Sequence, residues 1–306
     1  MSGTDIKQMI ETAIERRGVI KRAGLGALGL GALASAGVSL PTRSASAQMA
    51  NIDVDVLNFA LNLEYLEAEY YVRAVTGQGL ADADRIGGQG QAPGTVSAPD
   101  NTKVYFPTGL LKQYAQDIAN DEQAHVRFLR SALGSYAIAE PTIDVGQAFT
   151  TLAQAAGLIG PGQTFNPYND EISFLVGAFI FEDVGVTAYA GAAGLITDKG
   201  YLGAAASILA VEAYHAGTIR TILAEIGAGD VTDAIANLRS TLSAGAPNVD
   251  DAGTKAADGT VVLAPVDANG LAFRRTTRQV LNIVYGAPNA ASGLFFPNGL
   301  NGTITS

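Results

Sequence analysis

Glu122-Gln123-Ala124-His125 and Glu212-Ala213-Tyr214-His215 are the two most informative segments of this sequence. They contain both histidines of the 306-residue chain, and each histidine follows a glutamate by three positions. Side chains three residues apart lie on one face of an α-helix, so each segment directs a carboxylate and an imidazole to the same point. Each segment therefore predicts one half of a metal site.

Two further glutamates extend the pattern to an internal repeat. Glu64 is followed seven residues later by Tyr71, and Glu182 is followed seven residues later by Tyr189. Seven residues correspond to about two helical turns, so acid and phenol lie on one stripe. The order Glu-x6-Tyr, Glu-x-x-His thus occurs twice, which predicts two helix hairpins related by a twofold axis.

Helical periodicity supports four long helices and an all-α fold. Apolar residues recur at three- and four-residue spacing in each segment. More than thirty residues separate the second segment from the third, whereas five residues, Ile196 to Gly200, separate the third from the fourth. We therefore expect a four-helix bundle over residues 48–228 with a long crossover between helices 2 and 3. The segments run from Asp53 to Val75, Thr108 to Leu133, Asp170 to Ala193 and Leu202 to Ile226.

The connections and residues 229–306 complete the predicted architecture. Gly77 to Asn101 is rich in turn-forming residues and is expected to be an exposed loop. The C-terminal extension carries two helical patterns and ends in Phe295-Phe296. Because two adjacent phenylalanines are costly to leave in water, we expect this arm to pack on the bundle or on a second copy in a homo-oligomer. The shorter predicted helices are Val145 to Leu158, Val231 to Leu242 and Thr276 to Tyr285.

All four glutamates of the repeat lie on the apolar stripes of their helices. An uncompensated carboxylate in such a core costs several kcal/mol or takes up a proton. Four carboxylates are neutralised by two divalent ions. Oxygen ligands with one imidazole per ion favour iron or manganese, and the absence of cysteine excludes thiolate sites. The predicted ligands are Glu64, Glu122, His125, Glu182, Glu212 and His215.

Other acidic residues close to these ligands have alternative interpretations. Glu67 also fits an inward position, but only Glu64 reproduces the spacing to tyrosine found in the third helix. Glu69 is expected to be solvated. Asp121 and Asp183 each neighbour a ligand and point about 100° away from it, which favours a surface role or a hydrogen bond to a ligand over metal binding.

The tyrosines and arginines near the repeat also have ordinary structural interpretations. Three roles are compatible with Tyr71 and Tyr189. They are hydrogen bonding to the ligands, participation in one-electron chemistry, and burial as phenols whose hydroxyl groups need a partner. Tyr214 lies on a different helix face and is given no role. Arg127, Arg130 and Arg220 are expected to be solvated or ion-paired.

The charge balance limits the classes of partner. The chain has 19 basic and 29 acidic residues, a formal net charge of −10. Such a charge repels phosphate backbones, and no basic stripe is interleaved with aromatic residues, so nucleic-acid binding is excluded. Cations are the expected partners.

The N-terminal segment predicts export. Arg16-Arg17 precedes a Gly-, Ala- and Leu-rich stretch, and Ala45-Ser46-Ala47 offers the small residues of a cleavage site. Residues 1–47 resemble a twin-arginine signal, although Glu15 and Val19 depart from its usual pattern. The alternatives are an ordinary secretory signal and an uncleaved anchor. We expect a periplasmic or secreted protein with no membrane-spanning segment after residue 47.

The ligand pattern resembles the di-iron and dimanganese carboxylate proteins of the ferritin-like superfamily. Motifs spread over nearly the whole chain after residue 47 resemble more specifically the plant desiccation-related protein family and its bacterial relatives. These motifs are Asn62-Leu63-Glu64-Tyr65-Leu66-Glu67-Ala68-Glu69-Tyr70, Phe165-Asn166-Pro167-Tyr168, Ala272-Phe273-Arg274, Val280-Leu281-Asn282-Ile283-Val284-Tyr285-Gly286 and Phe295-Phe296-Pro297-Asn298-Gly299.

Three functions are compatible with this resemblance. The first is an oxidoreductase in which two iron or manganese ions react with O₂ or hydrogen peroxide, as in ferroxidases and manganese catalases. The second is a stress-protective protein in which the ions mainly tie the helices together. The third, an iron-storage cage, fits less well because the first loop and the C-terminal extension would have to be accommodated between subunits.

Overall fold

The computed structural model describes residues 51–243 and 251–306, so the predicted signal segment lies outside the described residues. Within these ranges the chain forms eight α-helices and two short strands. The helices are α1 (Asn51–Thr76), α2 (Asp82–Arg85), α3 (Gly109–Leu133), α4 (Gln147–Ala155), α5 (Glu171–Ala192), α6 (Lys199–Glu225), α7 (Gly229–Leu242) and α8 (Thr277–Tyr285), and the strands are β1 (Val96–Ser97) and β2 (Ile143–Asp144).

Helices α1, α3, α5 and α6 form the predicted four-helix bundle. Helix α1 packs mainly on α3, and α5 packs mainly on α6. Residues 134–170, which include β2 and α4, cross from the first pair to the second. The all-α class, the four long helices and the long crossover are therefore confirmed, and each helix end lies within three residues of its predicted position.

Local capping explains where the second pair of helices begins. The Asp170 side chain accepts hydrogen bonds from the backbone N–H groups of Ile172 and Ser173, at 3.0 and 2.7 Å. Asp198 caps α6 in the same way. Such N-caps satisfy backbone donors that have no partner within the helix. They fix where both helices begin and therefore the position of their predicted ligands along the bundle axis.

Helix α5 is more apolar than we expected. The segment Glu171–Leu195, which contains α5, is long and apolar enough to cross a membrane by length and composition. From the sequence, no such segment was expected after residue 47. However, 83% of its most apolar window is buried inside the protein. Its hydrophobicity is accounted for by a position in the middle of the fold, where neighbouring elements cover it on nearly all sides.

The first loop is only partly exposed, and it buries a residue that was predicted to be solvated. Leu80 folds back onto α1 and its N–H donates to Oε1 of Glu69 at 2.8 Å, while Arg73 Nε donates to Oε2 at 2.6 Å. Glu69 is 0% exposed. The prediction for Glu69 was wrong because Leu80 of the loop and Arg73 of α1, rather than water, supply the partners of its carboxylate. The loop is joined to the crossover by a parallel β1–β2 pair.

The C-terminal extension packs on the bundle of its own chain. Helix α7 contacts α5 and α6, and α8 contacts α5 and α7. Phe295 and Phe296 are buried. The ring centroid of Phe295 lies 5.3 Å from that of Phe149 in α4 and 5.0 Å from that of Phe181 in α5. These contacts realise the first of the two packing alternatives for the arm.

A buried ion-pair network joins the extension to α5 and α6. Asp183 Oδ2 lies 2.7 Å from Arg220 Nη1 and 2.9 Å from Arg239 Nη2. Arg239 also pairs with Asp251, which pairs with Arg275. Asp183 therefore has neither a surface role nor a contact with a predicted ligand. Its partners come from residues far away in sequence, which periodicity does not reveal.

Of the two remaining arginines of the prediction, Arg127 is ion-paired as expected, whereas Arg130 hydrogen-bonds to neutral groups. Arg127 forms an ion pair with Asp84 at 2.8 Å. Arg130 donates to the hydroxyl of Tyr65 at 2.6 Å. Both interactions tie the first loop or α1 to α3 and lie outside the cluster described next.

Candidate metal centre

The six predicted ligands meet in the middle of the bundle, each long helix contributing its part of the repeat. Helix α1 supplies Glu64 and α5 supplies Glu182, while α3 and α6 each supply a Glu-x-x-His pair. All six residues are buried, with exposed fractions of 0–8%. The geometry therefore brings together every residue that the sequence singled out for metal binding.

The ligand atoms form two overlapping groups. In the first, Glu64, Glu122, His125 and Glu212 each direct one atom to a common point, with these atoms within 4.8 Å of one another. In the second, Glu122, Glu182, Glu212 and His215 do the same. Glu122 and Glu212 belong to both groups. Two ions held by these groups would share the carboxylates of Glu122 and Glu212, and each would have one further carboxylate of its own.

Imidazole nitrogens complete the two groups symmetrically. Nδ1 of His125 lies 3.2 Å from Glu64 Oε2 and 3.6 Å from the nearest oxygens of Glu122 and Glu212. Nδ1 of His215 lies 3.1 Å from Glu122 Oε1 and 3.5 Å from Glu182 Oε2. Both histidines thus present Nδ1 to the centre.

Eight buried atoms of this cluster have no hydrogen-bond partner among the described residues. Buried polar groups are ordinarily paired, so a concentration of unpaired acceptors requires an explanation. Cations would satisfy these atoms, because each is an oxygen or nitrogen of a side-chain type that binds metal ions. The atoms are Glu64 Oε2, both carboxylate oxygens of Glu122, His125 Nδ1, Glu182 Oε2, both carboxylate oxygens of Glu212, and His215 Nδ1.

Two tyrosines hold the terminal carboxylates from across the bundle. The Tyr71 hydroxyl on α1 donates to Oε1 of Glu182 on α5, and the Tyr189 hydroxyl on α5 donates to Oε1 of Glu64 on α1. Each hydrogen bond occupies the outer oxygen and leaves the inner oxygen free. The structure therefore gives both tyrosines the hydrogen-bonding role among the alternatives considered for them.

A sequence model of the ferritin-like domain matches residues 52–225, which is more than half of the chain and includes all six residues of the cluster. The chain belongs to the ferritin-like domain family.

Two characterised proteins are similar to this ferritin-like chain over most of their length. The desiccation-related protein PCC13-62 of Craterostigma plantagineum is 29% identical over 274 residues, covering 83% of this chain and 84% of that protein. The ferritin-like catalase Nec2 of Nesocodon mauritianus is 27% identical over 274 residues, covering 82% of this chain and 84% of that protein. Both alignments are longer than the ferritin-like domain itself.

Burial, repulsion between the carboxylates and attraction between carboxylates and imidazoles determine the protonation of the ferritin-like cluster. Burial raises the pKa of Glu64 to about 7 and holds the pKa of Glu212 well above its ordinary value. Burial opposes charge on the histidines too, but Glu64 and Glu122 outweigh it and raise the pKa of His125 to about 11. Glu182 likewise raises the pKa of His215. Without cations, protons on the imidazoles partly neutralise the carboxylates.

Three residues that were not predicted to bind metal lie beside the cluster. Glu67 is buried, as one interpretation allowed. Burial raises its pKa well above the ordinary value, and the carboxylates of Glu122, Glu64 and Glu182 raise it further. Asp121 Oδ2 accepts a hydrogen bond from Nε2 of His215 at 3.1 Å.

Gly185 on α5 is the third residue beside the cluster. A Cβ atom at this position would lie 2.5 Å from Oε2 of Glu212. A glycine within a helical pattern carries no sequence signal of such an approach, because the contact spans two helices.

Proposed function

We propose that this chain binds two divalent ions, iron or manganese, and uses them in the conversion of hydrogen peroxide or O₂. The observation that carries the proposal is the set of eight buried, unpaired ligand atoms arranged as two groups that share Glu122 and Glu212. Four carboxylates carry a charge of −4 when ionised, and two divalent ions balance it. Hard oxygen donors with one imidazole per position favour iron or manganese over copper(I).

The residues around the cluster support chemistry at a protected centre. A bound pair of iron or manganese ions supplies two adjacent one-electron couples, which suits the two-electron reduction or oxidation of peroxide. Tyr71 and Tyr189 hold the terminal carboxylates in place, and the surrounding apolar side chains exclude bulk water. Disproportionation of two hydrogen peroxide molecules to two water molecules and O₂ needs no other reductant or oxidant.

The similarity to a protein described as a ferritin-like catalase supports the peroxide reaction in particular. The similarity to a desiccation-related protein supports the second candidate, a stress-protective protein in which the ions act as a structural staple. In that case the two ions would hold the hairpins α1–α3 and α5–α6 together without turnover. Both candidates require the same metal centre.

We further propose that the protein acts outside the cytoplasm, in the periplasm or as a secreted protein. The support is the sequence of residues 1–47, with its paired arginines, apolar stretch and Ala45-Ser46-Ala47. Export of the folded protein by the twin-arginine route would allow metal loading before translocation.

Metal quantitation followed by two activity assays tests the proposal. Protein purified with Mn(II) or Fe(II) in the medium should contain two ions per chain, and O₂ evolution from hydrogen peroxide or oxidation of Fe(II) should be measurable. Two bound ions without either activity would favour the structural candidate, whereas protein that binds no ions would refute both.

Substitution of the ligands tests the site itself. Glu122→Ala and His215→Ala should each lower both the metal content and the melting temperature, because metal binding is coupled to stability. Tyr214→Phe is the matched control, since Tyr214 lies within the second Glu-x-x-His segment but is 76% exposed. Unchanged metal content in both ligand variants would show that the ions bind elsewhere.

A further inference from the structure

The two halves of the cluster differ at one position of the repeat. Asp121 immediately precedes Glu122 on α3, and the corresponding residue before Glu212 on α6 is Val211. Asp121 reaches across to the opposite hairpin and accepts a hydrogen bond from Nε2 of His215. A valine at the equivalent place offers no acceptor. The approximate twofold symmetry of the ligands is therefore broken next to them.

The partners of the two imidazoles differ accordingly. Nε2 of His215 is held by the Asp121 carboxylate at 3.1 Å, which favours a proton on Nε2. Nδ1 then faces the carboxylates of Glu122 and Glu182, where an ion would replace any proton on it. Nε2 of His125 has no hydrogen-bond partner within residues 51–243 and 251–306, and it is not among the buried unpaired atoms. Of the two histidines, His215 is therefore the one whose outer nitrogen is oriented by a carboxylate of the described residues.

We propose that the two metal positions are unequal and that the position formed by Glu122, Glu182, Glu212 and His215 binds its ion more tightly because Asp121 orients and polarises His215. This inference rests on the proposed metal binding but not on any catalytic activity. A carboxylate that accepts from the outer nitrogen of a ligating histidine raises the basicity of the imidazole, and loss of such a partner typically lowers metal affinity about 10–100-fold.

Other charges near the cluster do not cancel this difference. Glu67 interacts with shared and terminal carboxylates alike, so it does not single out one position. Asp183, next to Glu182, is already paired with Arg220 and Arg239. Asp121 remains as the acidic group that contacts the imidazole of one position and not that of the other.

Titration of metal-free protein with Mn(II), followed by calorimetry and by the electron paramagnetic resonance of free Mn(II), tests the inference. We expect two equivalents with affinities that differ by about 10–100-fold. Asp121→Ala, which removes both charge and acceptor, should weaken the tighter equivalent by a similar factor. Asp121→Asn keeps an acceptor without the charge and should have a smaller effect.

Asp117→Asn provides the matched control. Asp117 lies one turn before Asp121 on α3 and is exposed, so its substitution removes the same surface charge without touching an imidazole. Its titration should match that of the wild-type protein, and circular dichroism should show the same helix content in all variants.

Several results would overturn the inference. Two equal affinities in the wild-type protein, a loss confined to the weaker equivalent in Asp121→Ala, or equal losses in Asp121→Ala and Asp117→Asn would each contradict it while leaving the metal centre intact. Failure of the wild-type protein to bind Mn(II) at all would refute both this inference and the proposed function.

Discussion

Arg220 on α6 lies with its Nη1 atom 2.7 Å from Oδ2 of Asp183, the residue that follows the predicted ligand Glu182 on α5. The same guanidinium donates to the backbone carbonyl oxygens of Ala252, Gly253 and Val262. One buried side chain thus joins the helix of a ligand to the C-terminal extension. The extension is part of the same packed structure as the candidate metal centre.

Removing Asp183 should strongly destabilise the protein. Asp183→Ala leaves Arg220 and Arg239 buried with fewer partners, and breaking a buried ion pair from one side typically costs about 3–5 kcal/mol. Urea unfolding measures the loss. Asp230→Ala is the control, because Asp230 pairs with Lys255 on the surface and should contribute less than about 1 kcal/mol. Similar losses in the two variants would contradict a structural role for the network.

The tyrosines that hold the terminal carboxylates should affect metal binding more than stability. Tyr71→Phe removes a donor to Glu182, which frees the carboxylate to rotate and should weaken Mn(II) binding about tenfold or more. The loss in unfolding free energy should be near 1 kcal/mol.

Tyr70→Phe is the matched control for this variant. Tyr70 is the preceding residue and is equally buried, but its hydroxyl donates to the backbone oxygen of Phe174 at 2.7 Å. Its substitution should lower stability and leave Mn(II) affinity unchanged. Equal Mn(II) affinities for the Tyr70 and Tyr71 variants would show that the tyrosine on Glu182 does not position the ligand.

The sequence predicted which six side chains would meet in the bundle, because the relevant geometry is local. Glu122 and His125 share a helix face by spacing alone, and the apolar stripe indicates that the face is buried. The burial of Glu69 was not predicted. A hydrogen bond from Asp121 to a ligand was one of two alternatives, but its partner His215 was not identified. Both contacts join distant segments, 11 and 94 residues apart. Helical periodicity describes one element at a time and does not reveal which neighbour supplies a partner.

Gly185 is a second place where the neighbouring helix decides the residue. A methyl group at this position would lie 2.5 Å from Glu212 Oε2 and 3.4 Å from Glu67 Oε1, so Gly185→Ala should displace a shared carboxylate. We expect metal affinity to fall about tenfold or more. Gly203→Ala on α6 is the control, because nothing lies within 4 Å of its Cβ position and alanine should stabilise the helix by about 0.5–1 kcal/mol. Full metal binding by the Gly185 variant would contradict the crowding argument.

Glu140 should make stability depend on pH away from the metal centre. Burial and the nearby Glu69 carboxylate raise the pKa of Glu140 to about 8, although Arg85 Nε donates to its Oε2 at 2.6 Å. The folded protein therefore keeps a proton on Glu140 that the unfolded chain, with a pKa near 4.5, releases. This contribution to stability is fully present below pH 4.5 and is lost as the pH rises through about 8.

Glu140→Gln isolates that contribution, because the amide keeps the size of the side chain and does not ionise. Relative to the wild-type protein, the variant should gain up to about 1.4 kcal/mol of unfolding free energy for each pH unit between pH 5.5 and 7.5. Urea unfolding of both proteins at three pH values in this range measures the difference. Replacing the carboxyl opposite Arg85 by an amide shifts all three values by a similar amount, so only the slope is diagnostic. A difference that stays constant with pH would show that Glu140 is already ionised in the folded protein.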